Sequence, residues 1–169
     1  MSLTFVLGGA RSGKSGYAQE QARLLSGGPL IMVATAQALD AEMAARIARH
    51  QAERDGNWRT VEAPLDLAGA VRSLAPGDVG VIDCLTLWLT NQMLAEVEIA
   101  PAVADLVVAF VESPANLIVI SNEVGQGIVP DNPLARRFRD EAGWMHQKVA
   151  AAADRAVMVI AGLPVVLKG

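Results

Sequence analysis

The stretch LTFVLGGARSGKS, residues 3–15, decides the fold. Its first five residues are apolar or β-branched and read as a strand buried on both faces. They run straight into Gly8, Gly9, Ala10, Arg11, Ser12, Gly13, Lys14 and Ser15, which fit G-x-x-x-x-G-K-[ST] through Gly8, Gly13, Lys14 and Ser15. A helix is predicted from Lys14 to about residue 25, stopped by SGGP. Strand, glycine loop and helix in that order form a phosphate cradle. The glycines let successive backbone N–H groups curl toward phosphate oxygens, and the helix adds its positive end. Lys14 is placed to reach the β- and γ-phosphates and the Ser15 hydroxyl to ligate Mg²⁺. A glycine-rich turn matching by chance would not need this flanking strand and helix.

Outward from the cradle, strands and helices alternate. Further strands are predicted at 30–35 (LIMVAT), 58–63 (WRTVEA), 79–84 (VGVIDC) and 116–123 (NLIVISNE), with AVMVIAG and PVVLK closing the chain. Helices are predicted over 40–56 with Asp40 as N-cap, within PLDLAGAVRSLAPGD, from about Leu85, and within EVEIAPAVADLVVAFVES, the last interrupted near Pro101. A long helix from about Pro133 to Asp154 should present Leu134, Phe138, Met145 and Val149 on one face. The expected class is α/β: one domain spanning 1–169, a mainly parallel sheet with helices on both faces, and an antiparallel edge made by the last two strands.

Composition sets limits on this picture. With 52% hydrophobic residues but 4% aromatics, the core must be aliphatic. The net charge is −4 and no basic block occurs, so nucleic acid is not expected as a partner. Cys84, the sole cysteine, excludes an internal disulfide and reads as strand packing. No apolar run approaches the roughly 20 residues of a membrane span, and no secretory leader is read at the start. A soluble cytoplasmic protein is expected.

P-loop proteins carry a second acid at the end of a neighbouring buried strand, where it helps to hold Mg²⁺. Asp83 stands there, although a strand-end aspartate can instead cap the following helix. The remaining titratable residue of note is His50. On a helix over 40–56, Leu39, Met43 and Ile47 share a face, Arg46 and His50 lie one turn apart, and His50 falls at the margin of the apolar stripe. That position alone favours packing. No Cys, second His or carboxylate pair completes a metal site with it. Were the helix to face the nucleotide, however, a neutral imidazole is a competent nucleophile toward phosphorus.

The segments GGARSGKS, AT after the second strand, DAEMAARIARHQAER, WRTVEAP, DCLTLWLTN, SNEVGQGIVPDNPLARRFRDEAG and QKVAAAAD together resemble the bifunctional adenosylcobinamide kinase/adenosylcobinamide-phosphate guanylyltransferase family, over residues 5–162. The resemblance implies a RecA-like P-loop fold, a homotrimer and two activities in coenzyme B12 assembly. One phosphorylates adenosylcobinamide with ATP or GTP; the other adds GMP from GTP, releasing pyrophosphate. It implies that His50 carries GMP covalently, which reverses the packing reading. It further implies that residues 8–15 hold the triphosphate and that Ala34, Thr35 and Ala36 line the nucleotide. Gln51, Ala52, Glu53, Arg54, Glu62 and Asp83 then complete the guanine site.

The chain departs from the family pattern at His146, where asparagine is expected before glutamine, and that histidine is read as structural. The role of Glu123 is left open, as is that of Arg136, Arg137 and Arg139, which suit a phosphate, a subunit contact or a solvated face equally. Two rival functions stand beside the two-step enzyme: a P-loop kinase for an unrelated small alcohol with His50 structural, and a non-catalytic nucleotide-sensing module.

Overall fold

Uninterrupted aliphatic runs become strands only if both faces are covered, and the computed structural model shows how this is done. It describes residues 1–25, 29–37 and 57–169. The helix expected over 40–56, with His50 and residues 51–54, lies outside them. Among the described residues seven strands form one sheet: β1 (Leu3–Gly8), β2 (Leu30–Ala34), β3 (Trp58–Glu62), β4 (Val79–Asp83), β5 (Asn116–Asn122), β6 (Arg155–Ile160) and β7 (Leu163–Lys168). Their order is β3-β2-β4-β5-β1-β6-β7. All pairs are parallel except β6 with β7, so the expected antiparallel edge is present.

The helices are α1 (Lys14–Leu25), α2 (Leu67–Arg72), α3 (Leu85–Leu94), α4 (Ile99–Glu112) and α5 (Pro133–Ala152). One apolar cluster joins Phe5, Val33, Ile82 and Val119 of the sheet to Leu85 and Trp88 of α3, Leu106 and Phe110 of α4, and Met145 and Val149 of α5. The other joins Val6, Met32, Val81, Ile118 and Ile120 to Ala18 and Ala22 of α1. Small alanines let α1 sit close to the sheet, which brings its first turn over the strand ends.

Three local expectations change. Pro101 does not interrupt α4, because it is the third residue of the helix and first-turn N–H groups have no intrahelical acceptor to lose. Leu134 is 56% exposed rather than packed, since the first turn of α5 projects past the core that Met145 and Val149 reach. That helix also stops at Ala152. Asp154 is instead bonded to β1, its carboxylate accepting the Leu3 N–H at 2.8 Å and its own N–H donating to the Leu3 carbonyl.

Strand register aligns the carboxyl ends along one edge. Gly8 pairs beside Asn122 and Val159, and Ala34 beside Glu62 and Asp83. Strand β1 therefore leaves the sheet between β5 and β6, far in sequence from both. Such a crossover point opens the crevice in which α/β sheets hold ligands. Among the described residues no helix is long and apolar enough to cross a membrane.

Candidate nucleotide site

The cradle is wedged in place by its own glycines. A Cβ on Gly8 would lie 2.4 Å from the Ser12 Oγ and 2.8 Å from the Val159 carbonyl oxygen. Gly13 adopts φ +94°, in the left-handed region, and a Cβ there would press on Gly162 at 3.2 Å. The Gly162 N–H donates to the Ser12 carbonyl at 2.8 Å, so the β6–β7 turn buttresses the loop from behind.

What the loop holds is short of partners. Lys14, the first residue of α1, is buried, yet among the described residues its ammonium makes one hydrogen bond, to the Gly9 carbonyl at 3.2 Å. An ammonium has three donors. The Ser12 Oγ is buried with no partner among the described residues. Buried polar groups are normally satisfied, and those that are not call for an explanation such as an absent anion.

Asp83 ends β4, two strands from Gly8, and is half-buried. It does not cap α3: the N-cap residue is Cys84, which makes no side-chain cap bond. No hydrogen bond engages its carboxylate among the described residues. The neighbouring Cys84 thiol is pushed up, chiefly by burial and then by the negative charge of Asp83, while the Thr86 hydrogen bond and the positive charge of Lys14 oppose this. Cys84 itself packs in the core, as read from the sequence.

The segment after β2 is fastened by a closed network. Thr35 is fully buried; its hydroxyl donates to the Cys84 carbonyl and accepts the Cys84 N–H, both at 2.8 Å. Asn91 of α3 donates to the carbonyls of Thr35 and Pro64 at 2.8 and 2.9 Å. Trp88 and Gln92 both donate to the Leu65 carbonyl. Ala34, Thr35, Ala36, exposed Glu62 and Asp83 accordingly share the β3-β2-β4 side of the edge, with the cradle residues 8–15 beside them. His50, Gln51, Ala52, Glu53 and Arg54 lie outside the described residues.

Several polar residues escaped the sequence reading. Thr86, Asn91 and Gln92 could have been flagged as polar positions on an otherwise apolar helix. Asn122 donates to the Thr86 Oγ1 at 2.8 Å. His146 meets the Ser121 hydroxyl through Nε2 at 2.7 Å and lies tilted against the Phe5 ring, and burial holds its pKa down at about 4. Arg136 donates to the carbonyls of Pro130 and Asp131 and so ties down the start of α5, while Arg139 pairs with its neighbour Asp140.

On the far side of the cradle, an open cleft of about 620 Å³ runs between loop residues 9–12, the segment after β5 and the end of β6. Among the described residues no cluster of three or more His, Cys, Asp or Glu could hold a metal unaided. The oxygens of Ser15 and Asp83 nevertheless suit Mg²⁺, a hard ion that takes one or two protein oxygens and completes its shell from phosphates and water.

A buried lysine at the head of a helix, in a glycine loop leaving the middle of a parallel sheet, defines a P-loop nucleotide-binding protein of the RecA-like kind. In fold it is similar to the flagellar accessory protein FlaH from Methanocaldococcus jannaschii, with a TM-score of 0.54 at 16% identity over 99% of this chain and 78% of that one. Residues 4–167 match the family described as cobinamide kinase / cobinamide phosphate guanyltransferase. The chain is 48% identical to the bifunctional adenosylcobalamin biosynthesis protein CobP of Pseudomonas aeruginosa, over 97% of this chain and 96% of that protein. It is 39% identical to CobU of Salmonella typhimurium, over 98% and 99% respectively. The chain belongs to this family, and it is an enzyme of two activities, a cobinamide kinase and a cobinamide phosphate guanylyltransferase of adenosylcobalamin biosynthesis.

Proposed function

We propose that the 169-residue chain acts as one nucleotide-binding domain that runs both reactions from the same cradle, with His50 as the covalent carrier of GMP. The observation that carries this reading is the buried Lys14 ammonium and the Ser12 hydroxyl, the first with one partner and the second with none among the described residues. An anion with several oxygens satisfies both, and a triphosphate tail is such an anion.

In the kinase step ATP or GTP phosphorylates the aminopropanol hydroxyl of adenosylcobinamide. In the second, an imidazole nitrogen of His50 bonds to the α-phosphorus of GTP and the bond to the β-phosphate oxygen breaks, releasing pyrophosphate. A phosphate oxygen of adenosylcobinamide phosphate then displaces the imidazole and yields adenosylcobinamide-GDP. Gly8, Gly13 and the backbone N–H groups of residues 9–12 cradle the tail, while Lys14 neutralises the departing phosphates. Ala34, Thr35, Ala36, Glu62 and residues 51–54 line the guanine nucleotide. Ser15 and Asp83 are the residues that would hold Mg²⁺, which when bound draws charge off the phosphate oxygens. We further propose a cytoplasmic homotrimer that works on small molecules and not on nucleic acid.

Incubation with α-³²P-GTP and Mg²⁺ should leave acid-labile, base-stable label on the protein, as expected of a phosphoramidate. His50→Ala should lose the label and keep nucleotide affinity. An unlabelled wild-type protein that still phosphorylates cobinamide would remove the covalent step and leave a kinase only.

A further inference from the structure

The cleft beside the cradle shares loop residues 9–12 with the nucleotide site, but its other walls have no role there. Its walls come from Ala10 and Ser12 of the loop, Glu123 and Gln126 after β5, and Met158 and Ile160 of β6. It spans the carboxyl end of β1, from the segment after β5 on one flank to the end of β6 on the other. Lys14 and Ser15, the residues assigned to the inner phosphates, are absent from its lining; the loop's first residues are present instead. Phosphoryl transfer places the entering and leaving oxygens in line through phosphorus. With the leaving side held at the head of α1, an oxygen entering over the loop's first residues would come from the cleft that those residues line.

Glu123 is fixed there. Its N–H donates to the Gly8 carbonyl at 3.0 Å, which ties it to the first residue of the cradle. Its two carboxylate oxygens accept the Gly125 N–H at 2.8 and 3.0 Å. A Cβ at Gly125 would stand 2.9 Å from Oε1, so the glycine keeps that contact open. One donor occupies a group with about four acceptor positions, leaving lone pairs for an entering hydroxyl. Asn122, by contrast, is turned inward onto Thr86. The volume suits a small-molecule arm rather than a whole tetrapyrrole.

We propose that this cleft admits the hydroxyl-bearing arm of the acceptor for phosphorylation and that Glu123 is the catalytic residue that takes its proton; this rests on the kinase half of the function proposed above. The hydroxyl oxygen bonds to the γ-phosphorus and the bond from that phosphorus to the β,γ-bridging oxygen breaks. The nucleoside diphosphate leaves with that electron pair, and the hydroxyl proton passes to a Glu123 oxygen and on to water.

The test uses Glu123→Gln and Glu123→Asp in the full chain, with the two half-reactions assayed separately. The first is ATP-dependent phosphorylation of cobinamide; the second is GMP transfer from GTP to supplied cobinamide phosphate. Glu123→Gln should lower the kinase kcat about 10²- to 10³-fold while the KM for ATP moves less than about threefold. Glu123→Asp should keep part of the rate, and guanylyl transfer by both variants should match the wild type, which also shows that they fold. Equal kinase rates in wild type and Glu123→Gln would overturn the inference alone. Parallel loss of both half-reactions would overturn it too, by showing a loop that merely supports the cradle. A wild-type chain that phosphorylates no cobinamide would bring down the kinase reading and this inference with it.

Discussion

Two polar neighbourhoods sit at the ends of different strands along the same sheet edge and are built on opposite rules. Around Thr35 the described groups are matched: hydroxyl, carbonyl and N–H of Thr35 and Cys84 face one another, and Asn91 bridges Thr35 to Pro64. In the cradle the matching stops, with one acceptor for the Lys14 ammonium and none for the Ser12 Oγ among the described residues. A closed network contributes stability and does no chemistry. An open one costs stability until a ligand completes it. Both lie at the strand ends, so satisfaction of the hydrogen-bonding groups is what separates groups that hold the site's walls in place from groups that await the phosphates.

The sharpest way to break this contrast is Lys14→Met, which removes the charge and keeps the apolar stem. Phosphorylation of cobinamide should fall by about 10²- to 10³-fold or more, the scale seen on deleting one group that stabilises transferring charge. The melting temperature without nucleotide should stay level or rise, because a buried, poorly paired charge is replaced by an apolar group of similar volume. The upward shift that added GTP produces in the wild type should disappear. A large drop in ligand-free stability would mean that Lys14 belongs to the scaffold after all.

Asn91→Ala is the converse experiment. It leaves the Thr35 and Pro64 carbonyls without their donor in a buried place, at a cost of about 2–3 kcal/mol in urea denaturation. Nucleotide-dependent stabilisation should persist in the folded fraction. If Asn91→Ala instead abolished nucleotide binding and left stability intact, the two neighbourhoods would have to be relabelled.

How much of this could be read from residues alone follows the same division. The loop at 8–15 was legible because its chemistry is local: a strand, curled glycines and a helix head, contiguous in sequence. The parallel sheet and its antiparallel edge followed from aliphatic runs and spacing. Asp83 was singled out by position, and the structure removed its capping alternative. The Thr35 network was not legible, since its members are separated by up to 56 positions and meet only through register and the seating of α3. Glu123 stayed unassigned for a related reason. Its carboxylate is oriented by the next glycine but one, while its meaning comes from the β1 and β6 ends that wall the cleft. Leu134 misled because a helix-face pattern does not say where the core ends.

His146 falls between the two cases: it is paired like the network yet can change charge like a site. Its Nε2 meets the Ser121 hydroxyl next to Asn122, and burial lowers its pKa from the usual 6.5 to about 4. Above pH 6.5 the ring is neutral folded and unfolded, so it adds no pH dependence. As pH falls from 6.5 toward 4 the unfolded chain takes up a proton that the folded chain refuses, and stability declines through that window, levelling once the folded state also protonates. Partial exposure screens the effect, leaving about 1–2 kcal/mol over the interval. His146→Asn, which removes the titrating ring and keeps a hydrogen-bonding side chain, should flatten that part of the acid limb and move neutral-pH stability much less than Asn91→Ala does. Denaturant midpoints at pH 7, 5.5 and 4.5 decide it. An unchanged slope in His146→Asn would place the titration elsewhere and return His146 to packing alone.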